Sequence, residues 1–341
     1  MVNAAALIFV GLTACDGIRS RRRIYFLLRT IVACGTFVAL VGVVQFLFNF
    51  DLTPHLRPPG MHFAGSDSGI GVRNGLRRVA GTTAHPIEFG VFCAMVLPLA
   101  IHLAHRAAGG SRGARLWWGC VGVIAAGLMF SVSRSAILAL AAAGLVLFVG
   151  WSAQRRLRMT FAGLVFLVVI KFASPSLLGT FVNLFQGAKN DPSIQYRTHD
   201  YETAKELIAQ NPWLGRGLGT WYAPKHEVFD NQYLGSLVDT GVIGLVAFMS
   251  IVLCALYATA RTGLLSYRHA ERLEHSMADR DLALAVAASI VVVLPTCATF
   301  DFLAYVIVTS LMFLLVGVAA ALLRIVSAEV RGDPHDPAAI V

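Results

Sequence analysis

Long apolar segments recur along the chain, separated by shorter polar or basic stretches. Each segment is close to the length of about 20 apolar residues that a helix needs to cross a bilayer. Since backbone polar groups must be satisfied inside lipid, we expect these segments to be helices. The pattern predicts about nine spans, at residues 1–15, 24–50, 86–105, 116–132, 135–151, 159–174, 236–260, 282–299 and 303–323.

The arginines orient these spans across the membrane. Basic clusters follow every odd-numbered span, at 19–23, 106–115, 155–158, 261–280 and 324–331. Cytoplasmic loops carry an excess of Lys and Arg, so we predict that these clusters and the C-terminus are cytoplasmic. The alternate loops then face outward, at 51–85, 133–134, 174–235 and 299–302.

Composition supports the same class of protein. Hydrophobic residues make up 57% of the chain and charged residues only 14%, which excludes an ordinary soluble domain. The net charge of +9 comes from clusters that flank spans, so we interpret it as membrane orientation and predict no nucleic-acid partner. The six cysteines lie in or beside apolar spans without CxxC spacing, which indicates neither a zinc site nor a disulfide framework.

The polar segment 174–235 divides the chain. We predict N-terminal transmembrane helices with the outer loop 51–85 over residues 1–173, and a large extracytoplasmic loop over 174–235. Three transmembrane helices over 236–325 and a cytoplasmic tail over 326–341 follow. Within the loop, the periodicity predicts an amphipathic helix from Tyr196 to Gln210, ended by Asn211-Pro212 because the residue before proline resists helical geometry. The residues expected on its apolar side are Tyr201, Ala204, Leu207 and Ile208.

The glycine-rich run Leu214–Gly219 of this loop lacks the GK[ST] ending of a phosphate-binding loop. We therefore interpret it as a turn that leads the chain back toward the membrane. His199 and His226 lack a third ligand at a suitable spacing, so we predict neither a metal site nor a cofactor.

Several arginines lie outside the cytoplasmic clusters. Arg134 stands between two spans with almost no loop, and Arg197 lies near the start of the loop helix. Two guanidinium groups can bind a diphosphate bidentately, so we predict that these two hold a lipid-linked anion. The alternatives are a headgroup anchor for Arg134 and a solvated surface residue for Arg197. Arg78 and Arg216 are weaker candidates of the same kind.

Titratable groups of the outer side supply candidates for a general base. Asp230 and His226 lie near the predicted outer membrane face, although Asp230 could instead cap the following helix. His85 precedes Pro86 and Glu88, a pattern typical of an ordinary helix N-terminus, with contact to substrate as the alternative. Asp301 lies in a tight outer turn and has no assigned role.

The order of these motifs resembles the O-antigen ligase and polysaccharide polymerase family of bacterial inner membranes. The resemblance runs from about Arg78 to Leu245. It rests on Arg78–Pro86, Ser133–Ala136, Arg197, Asn211–Gly219, Asp230–Leu234 and Asp239–Gly244. Family members have about twelve spans, so we expect about three helices to precede this chain.

The resemblance implies an enzyme of the bacterial cytoplasmic membrane that moves a glycan from undecaprenyl diphosphate to an acceptor sugar hydroxyl, without metal. Arg134 and Arg197 match the arginines that grip the carrier, and Asn231 belongs to the exit motif. Ligases of this family usually carry histidine where Asp230 stands, so we expect a polymerase-like role. The implied partners are the carrier-linked glycan, an acceptor glycan, membrane lipid and other polysaccharide export components.

Three alternatives stay open. The first is a ligase that transfers polymer to a lipid core. The second is a flippase or transporter of lipid-linked glycans, which would also need outward arginines. The third is a homologue that binds such glycans without catalysis.

Overall fold

The computed structural model describes residues 2–56, 71–73, 76–107, 111–173, 177, 179, 192–221, 226 and 229–332. Helices account for most of them, and their bounds are α1 Val2–Gly17, α2 Arg21–Phe48, α3 Pro86–Arg106, α4 Arg112–Phe130, α5 Arg134–Gly150, α6 Ala153–Ala173, α7 Pro192–Gln210, α8 Gln232–Arg268, α9 Ser276–Val291, α10 Val293–Cys297 and α11 Val306–Arg331. The expected all-helical membrane class is confirmed.

Among the described helices, five are long and apolar enough to cross a membrane, namely α2, α3, α4, α8 and α11. Shorter apolar helices are α5 and the part of α1 from Ala5 to Gly17. Every predicted span overlaps a helix, and the last but one divides into α9 and α10. The number of spans and their sidedness stay predictions.

A β-hairpin adds to the helices within the predicted outer loop 51–85. Strand β1, Gly71–Arg73, pairs antiparallel with β2, Leu76–Arg78, with Val72 opposite Arg77. Strands of three residues are too short to show an alternating pattern, which is why the sequence did not predict them. Single turns of 3-10 helix occur at Thr53–Leu56 and Phe302–Ala304.

The chain forms two compact units. One comprises Met1–Tyr25 and Gly187–Val341, and the other comprises Phe26–Gln186. We call them the C-terminal unit and the middle unit and describe each separately.

Helix α3 is the centre of the middle unit, because 94% of its apolar window is buried. It packs against α4 and α5, and against α2 through glycines. A Cβ at Gly35 would lie 2.9 Å from the Val96 side chain, and one at Gly42 would overlap the ring of Phe89. Gly35 and Gly42 thus allow α2 and α3 to approach closely. Gly119, Gly122 and Gly144 instead face open space.

In the C-terminal unit α1 packs against α11, while α8, α9 and α11 pack against one another. Arg21, the first residue of α2, joins α9 and α11 at one end of the unit. Its Nη2 lies 2.7 Å from the Asp279 Oδ2 and 2.7 Å from the Glu329 Oε2, and the Asp279 side chain is fully buried. The three chain segments that meet there are all predicted to be cytoplasmic.

Helix α8 is broken near its start. Gly241 has φ of 65° and ψ of −168°, which separates a short N-terminal segment from the long remainder. Only glycine adopts this conformation without steric cost. The break leaves backbone groups without intrahelical partners, and the candidate site is built around it.

Candidate functional site

The polar loop folds around the predicted amphipathic helix. Helix α7 begins at Pro192, four residues before the prediction, and ends at Gln210 as predicted. Ala204 is fully buried and forms a small core with Phe229 and Val238. Leu207, Ile208, Trp221 and Leu234 pack around this core. The predicted apolar face is therefore confirmed for Ala204, Leu207 and Ile208, and it binds α7 to the first segment of α8. It is wrong for Tyr201, whose side chain is 55% exposed.

The glycine-rich loop that follows α7 seals the break in α8. The backbone N–H groups of Arg216 and Gly217 donate to the carbonyls of Val238 and Asp239, at 2.9 and 2.8 Å. Beyond the break, Val242 N–H donates to the Pro212 carbonyl at 2.9 Å. Similarly, the N–H of Ile243 donates to the Trp213 carbonyl at 3.2 Å. The loop thus supplies the partners that both ends of the broken helix need.

Glycine is required on both sides of this contact. Gly215 has φ of 65°, and a Cβ there would lie 2.5 Å from the Thr240 nitrogen. A Cβ on Gly241 would overlap the Trp213 carbonyl. The run Leu214–Gly219 therefore turns the chain, as expected, and also carries a backbone interface that the sequence did not predict.

Asp239 fixes the end of this loop. Its carboxylate accepts backbone hydrogen bonds from Gly219 at 3.0 Å and from Trp221 at 3.1 Å. The Trp221 ring stacks on His226, with ring centroids 4.1 Å apart, and on Phe229 at 5.6 Å. His226, one of the two predicted bases, is thereby held against an aromatic platform beside α8.

The cap of α8 is Asn231, not Asp230. Asn231 Oδ1 accepts from the N–H groups of Tyr233 at 2.9 Å and Leu234 at 3.3 Å. Its Nδ2 donates to the Tyr201 hydroxyl of α7 at 3.2 Å. The capping alternative for Asp230 is therefore wrong, and the amide of Asn231 is engaged within the protein on both sides.

Asp301 belongs to the same region, which the sequence did not reveal. Gln232 anchors its turn, because the Gln232 N–H donates to the Phe300 carbonyl at 3.2 Å and its Oε1 accepts from Leu303 N–H at 2.6 Å. Burial, followed by the charges of Asp239 and Asp230, raises the pKa of Asp301 to about 6. The carboxylates of Asp239 and Asp230, from distant parts of the sequence, thus both act on Asp301 at one end of the C-terminal unit.

The sequence showed only that Asp301 is an acidic residue in a tight outer turn. It did not indicate which residues lie near Asp301 in the fold. Among the described residues, no group of three or more His, Cys, Asp or Glu side chains is arranged to hold a metal ion.

The middle unit carries the other candidates. His85 caps α3, since its Nδ1 accepts from Ile87 N–H at 3.2 Å, and Glu88 Oε2 accepts from Ala84 N–H at 3.0 Å. The interpretation as an ordinary helix N-terminus is confirmed. Burial and the nearby Arg78 guanidinium lower the pKa of His85 to about 4, so His85 is neutral at physiological pH.

Gln45 attaches the loop before α3 to the end of α2. Its amide accepts from Gly81 N–H at 2.8 Å and donates to the Gly81 carbonyl at 2.9 Å. Arg77 Nη1 donates to the Phe46 carbonyl at 2.8 Å. The chain that carries Arg78 and His85 is therefore held firmly at this end of the unit.

Arg134 is the first residue of α5 and its side chain is half-buried. Val132, two residues before Arg134, has φ of 45°, a conformation that is costly for a β-branched residue. Such strain is concentrated at functional sites in proteins. The turn packs against α3, since a Cβ on Gly90 would lie 2.5 Å from Ser131 Oγ and from Ala136 Cβ. Arg134 therefore lies at the same end of the unit as the α3 N-terminus.

The two predicted diphosphate ligands belong to different units, Arg134 to the middle unit and Arg197 to the C-terminal unit. Arg197 lies on α7, and its side chain falls outside the described part of the chain. Their joint action stays a prediction. The weaker candidate Arg216 is exposed, and its Nη2 donates to Gln210 Oε1 at 3.1 Å.

Comparison with known proteins identifies one family. Residues 119–249 match the family model described as O-antigen ligase, while no curated protein matches the chain significantly. The matched segment includes Arg134, Arg197 and Asp230 but begins after Arg78 and His85. The family resemblance indicated by the motifs is thereby confirmed over residues 119–249.

Proposed function

We propose that this protein is a membrane glycosyltransferase that transfers a glycan from an undecaprenyl-diphosphate carrier to a sugar hydroxyl and so extends a polysaccharide. The observation that carries the proposal is the O-antigen ligase match over residues 119–249. That segment holds Arg134 and Arg197, the two predicted diphosphate ligands, and the motif Asp230–Leu234. The match indicates a membrane glycan ligase or polymerase, and the donor, the acceptor and the polymerase role are our inference.

Donor binding is assigned to Arg134 and Arg197. The leaving group is a diphosphate, and fixed guanidinium groups would stabilise the charge that grows on it as the glycosidic bond breaks. The strained turn before Arg134 supports this role, because it holds the residue at one end of α5.

The acceptor oxygen would attack the anomeric carbon while the bond from that carbon to the carrier phosphate breaks, with inversion. The hydroxyl proton passes to a carboxylate, and the carrier leaves as the diphosphate. Asp230 and His226 are the bases predicted from the sequence, and the structure adds Asp301 as a third candidate. Its pKa of about 6 suits a base that works near neutral pH. We therefore place proton acceptance in the carboxylates of Asp230 and Asp301.

A polymerase role is favoured over a ligase role by Asp230, which stands where ligases of the family usually have histidine. Both roles use the same donor and the same bond-breaking step. They differ in the acceptor, which is a growing glycan for a polymerase and a lipid core for a ligase.

The decisive experiment is deletion of the gene, followed by chain-length analysis of surface and secreted polysaccharide. Loss of long chains is the expected result. Loss of attachment with free polymer retained would assign the ligase role, and lipid-linked glycan trapped on the cytoplasmic face would assign a flippase. Unchanged polysaccharide would contradict the proposal. Complementation with the wild-type gene and with the Arg134→Ala variant distinguishes loss of this protein's activity from an effect of the deletion on neighbouring genes.

A further inference from the structure

An apolar groove lies in the middle unit, between α3, α5 and α6, and has a volume of about 220 Å³. Pro98, Gly144 and Phe148 line it, and Trp151 and Arg156 lie at the end where α5 passes into α6. At roughly 30 Å³ for a group the size of water, the groove has room for about seven methylene groups. This is enough for a segment of an acyl chain.

The end of the groove has hydrogen-bond donors without acceptors. Trp151 is 9% exposed, and its indole Nε1 has no acceptor among the described residues. Nor does the buried Nε of Arg156 have one within the described chain. The Arg156 Nη2 donates to the Val149 carbonyl at 3.0 Å, which fixes the guanidinium at this place. Buried donors without acceptors are costly, so this arrangement points to a missing ligand that accepts hydrogen bonds.

The surroundings indicate that this ligand is negatively charged. The Arg155 guanidinium lies 4.6 Å from the centre of the Trp151 ring, and that of Arg156 lies 5.1 Å from the Phe148 ring. The adjacent guanidinium groups of Arg155 and Arg156 make this end of the apolar groove cationic, which complements an acidic lipid headgroup.

We propose that this groove binds an anionic phospholipid, with an acyl chain along α3 and α5 and the headgroup phosphate accepting hydrogen bonds from Arg156 and Trp151. The basic segment is predicted to be cytoplasmic, and the cytoplasmic leaflet is the one rich in acidic lipid. The proposal is independent of glycan transfer, because it uses neither Arg134 nor the carboxylates.

The isoprenoid tail of a carrier lipid fits the groove less well. A hydrocarbon tail offers no acceptor for the Trp151 and Arg156 donors. The carrier diphosphate is assigned to Arg134 at the opposite end of α5, about 25 Å from Trp151 at 1.5 Å per residue. A phospholipid satisfies both the apolar wall and the cationic end.

Native mass spectrometry of the full-length protein tests the proposal, with phosphatidylglycerol and phosphatidylcholine of the same acyl chains as probes. Wild type is expected to retain phosphatidylglycerol in preference to phosphatidylcholine. Arg156→Ala should weaken its binding about tenfold. Gly144→Leu should weaken it as well by filling the groove, and the open space beside Gly144 leaves the fold intact. Arg158→Ala is the matched control, because Arg158 is exposed on the same helix and lies outside the groove lining.

Three outcomes would overturn the proposal. They are equal retention of the two phospholipids by wild type, unchanged binding in both Arg156→Ala and Gly144→Leu, and displacement of phosphatidylglycerol by undecaprenyl phosphate at equal concentration. The last result would assign the groove to the carrier tail. Thermal unfolding in detergent shows whether each variant is folded. If Arg156→Ala does not fold, the binding of phosphatidylglycerol to Gly144→Leu tests the proposal.

Discussion

The carboxylate of Asp239 accepts a hydrogen bond of 3.0 Å from the backbone N–H of Gly219, twenty residues earlier in the chain. This bond ties the glycine-rich loop to α8 immediately before the helix breaks at Gly241. The stack of Trp221 on His226 follows directly after the tied loop. The position of the candidate site therefore depends on the broken helix.

Gly241→Ala should disrupt this region. The alanine would have to adopt a positive φ, and its Cβ would overlap the Trp213 carbonyl. We expect a loss of about 2–4 kcal/mol in the free energy of unfolding, together with lost glycan transfer. Thermal unfolding in detergent measures the first effect. Gly263→Ala on the same helix meets open space and should be tolerated, and equal stability of the two variants would contradict the assignment.

Arg134→Ala and Arg197→Ala should each abolish glycan transfer while expression and membrane insertion remain normal. Each removes a cation proposed to stabilise the diphosphate leaving group. Transfer of glycan from a purified lipid-linked donor is the measurement. Lys205→Ala, on the same helix as Arg197, and Arg158→Ala serve as controls that should keep full activity. Full activity in either test variant would exclude the diphosphate clamp.

Asp230→Asn should reduce turnover but preserve binding of the carrier lipid. The amide keeps the shape of the side chain and cannot accept the acceptor's proton at neutral pH. The cap of α8 stays intact in this variant, because Asn231 rather than Asp230 supplies it. The readouts are turnover and retention of undecaprenyl diphosphate in native mass spectrometry. Unchanged turnover would transfer the role to Asp301 or His226.

Asp301→Asn should give a pH-dependent result. The pKa of this carboxyl rises from its ordinary value of 3.8 to about 6 in the folded protein, through burial and then the charge of Asp239. Between these values the folded protein binds a proton that the unfolded chain has released. The free energy of unfolding therefore falls as the pH rises from about 4 to about 6.

Asparagine does not ionise, so the free energy of unfolding of Asp301→Asn should not fall over this pH range. Above pH 6 the variant should therefore be more stable than wild type, by on the order of 1–3 kcal/mol. Turnover of the wild type should increase with pH through about 6, and the variant should lose turnover. Unfolding midpoints and turnover rates between about pH 4.5 and pH 7.5, about 1.5 units to either side of that pKa, provide the measurement. Glu202→Gln, an exposed acid on α7, is the control, and an unaltered pH profile of stability in Asp301→Asn would contradict the prediction.

Arg21→Ala should destabilise the C-terminal unit by about 3–5 kcal/mol, because it leaves the fully buried Asp279 without its ion-pair partner. The exposed neighbour Arg22 offers the control variant Arg22→Ala. Asp279→Asn in the Arg21→Ala background should recover part of the loss. If the single and double variants unfold at the same temperature, the buried charge is not the cause.

The hydropathy pattern was sufficient to determine the class of fold. A bilayer requires about 20 apolar residues in each span, and this constraint is local in sequence, so helices lie at every predicted interval. The end of α7 at Gln210 followed from Pro212 for an equally local reason. The order of motifs was sufficient to indicate the O-antigen ligase family.

Tertiary structure decided how distant residues combine. The sequence did not predict the helix break at Gly241, because nothing local shows that the carbonyls of Pro212 and Trp213 accept the hydrogen bonds of the residues that follow it. Asp301 had no role until the fold brought it near Asp239 and Asp230, which lie 62 and 71 residues earlier. Charge interactions and backbone pairing depend on distance in space, whereas periodicity and composition report only neighbours along the chain.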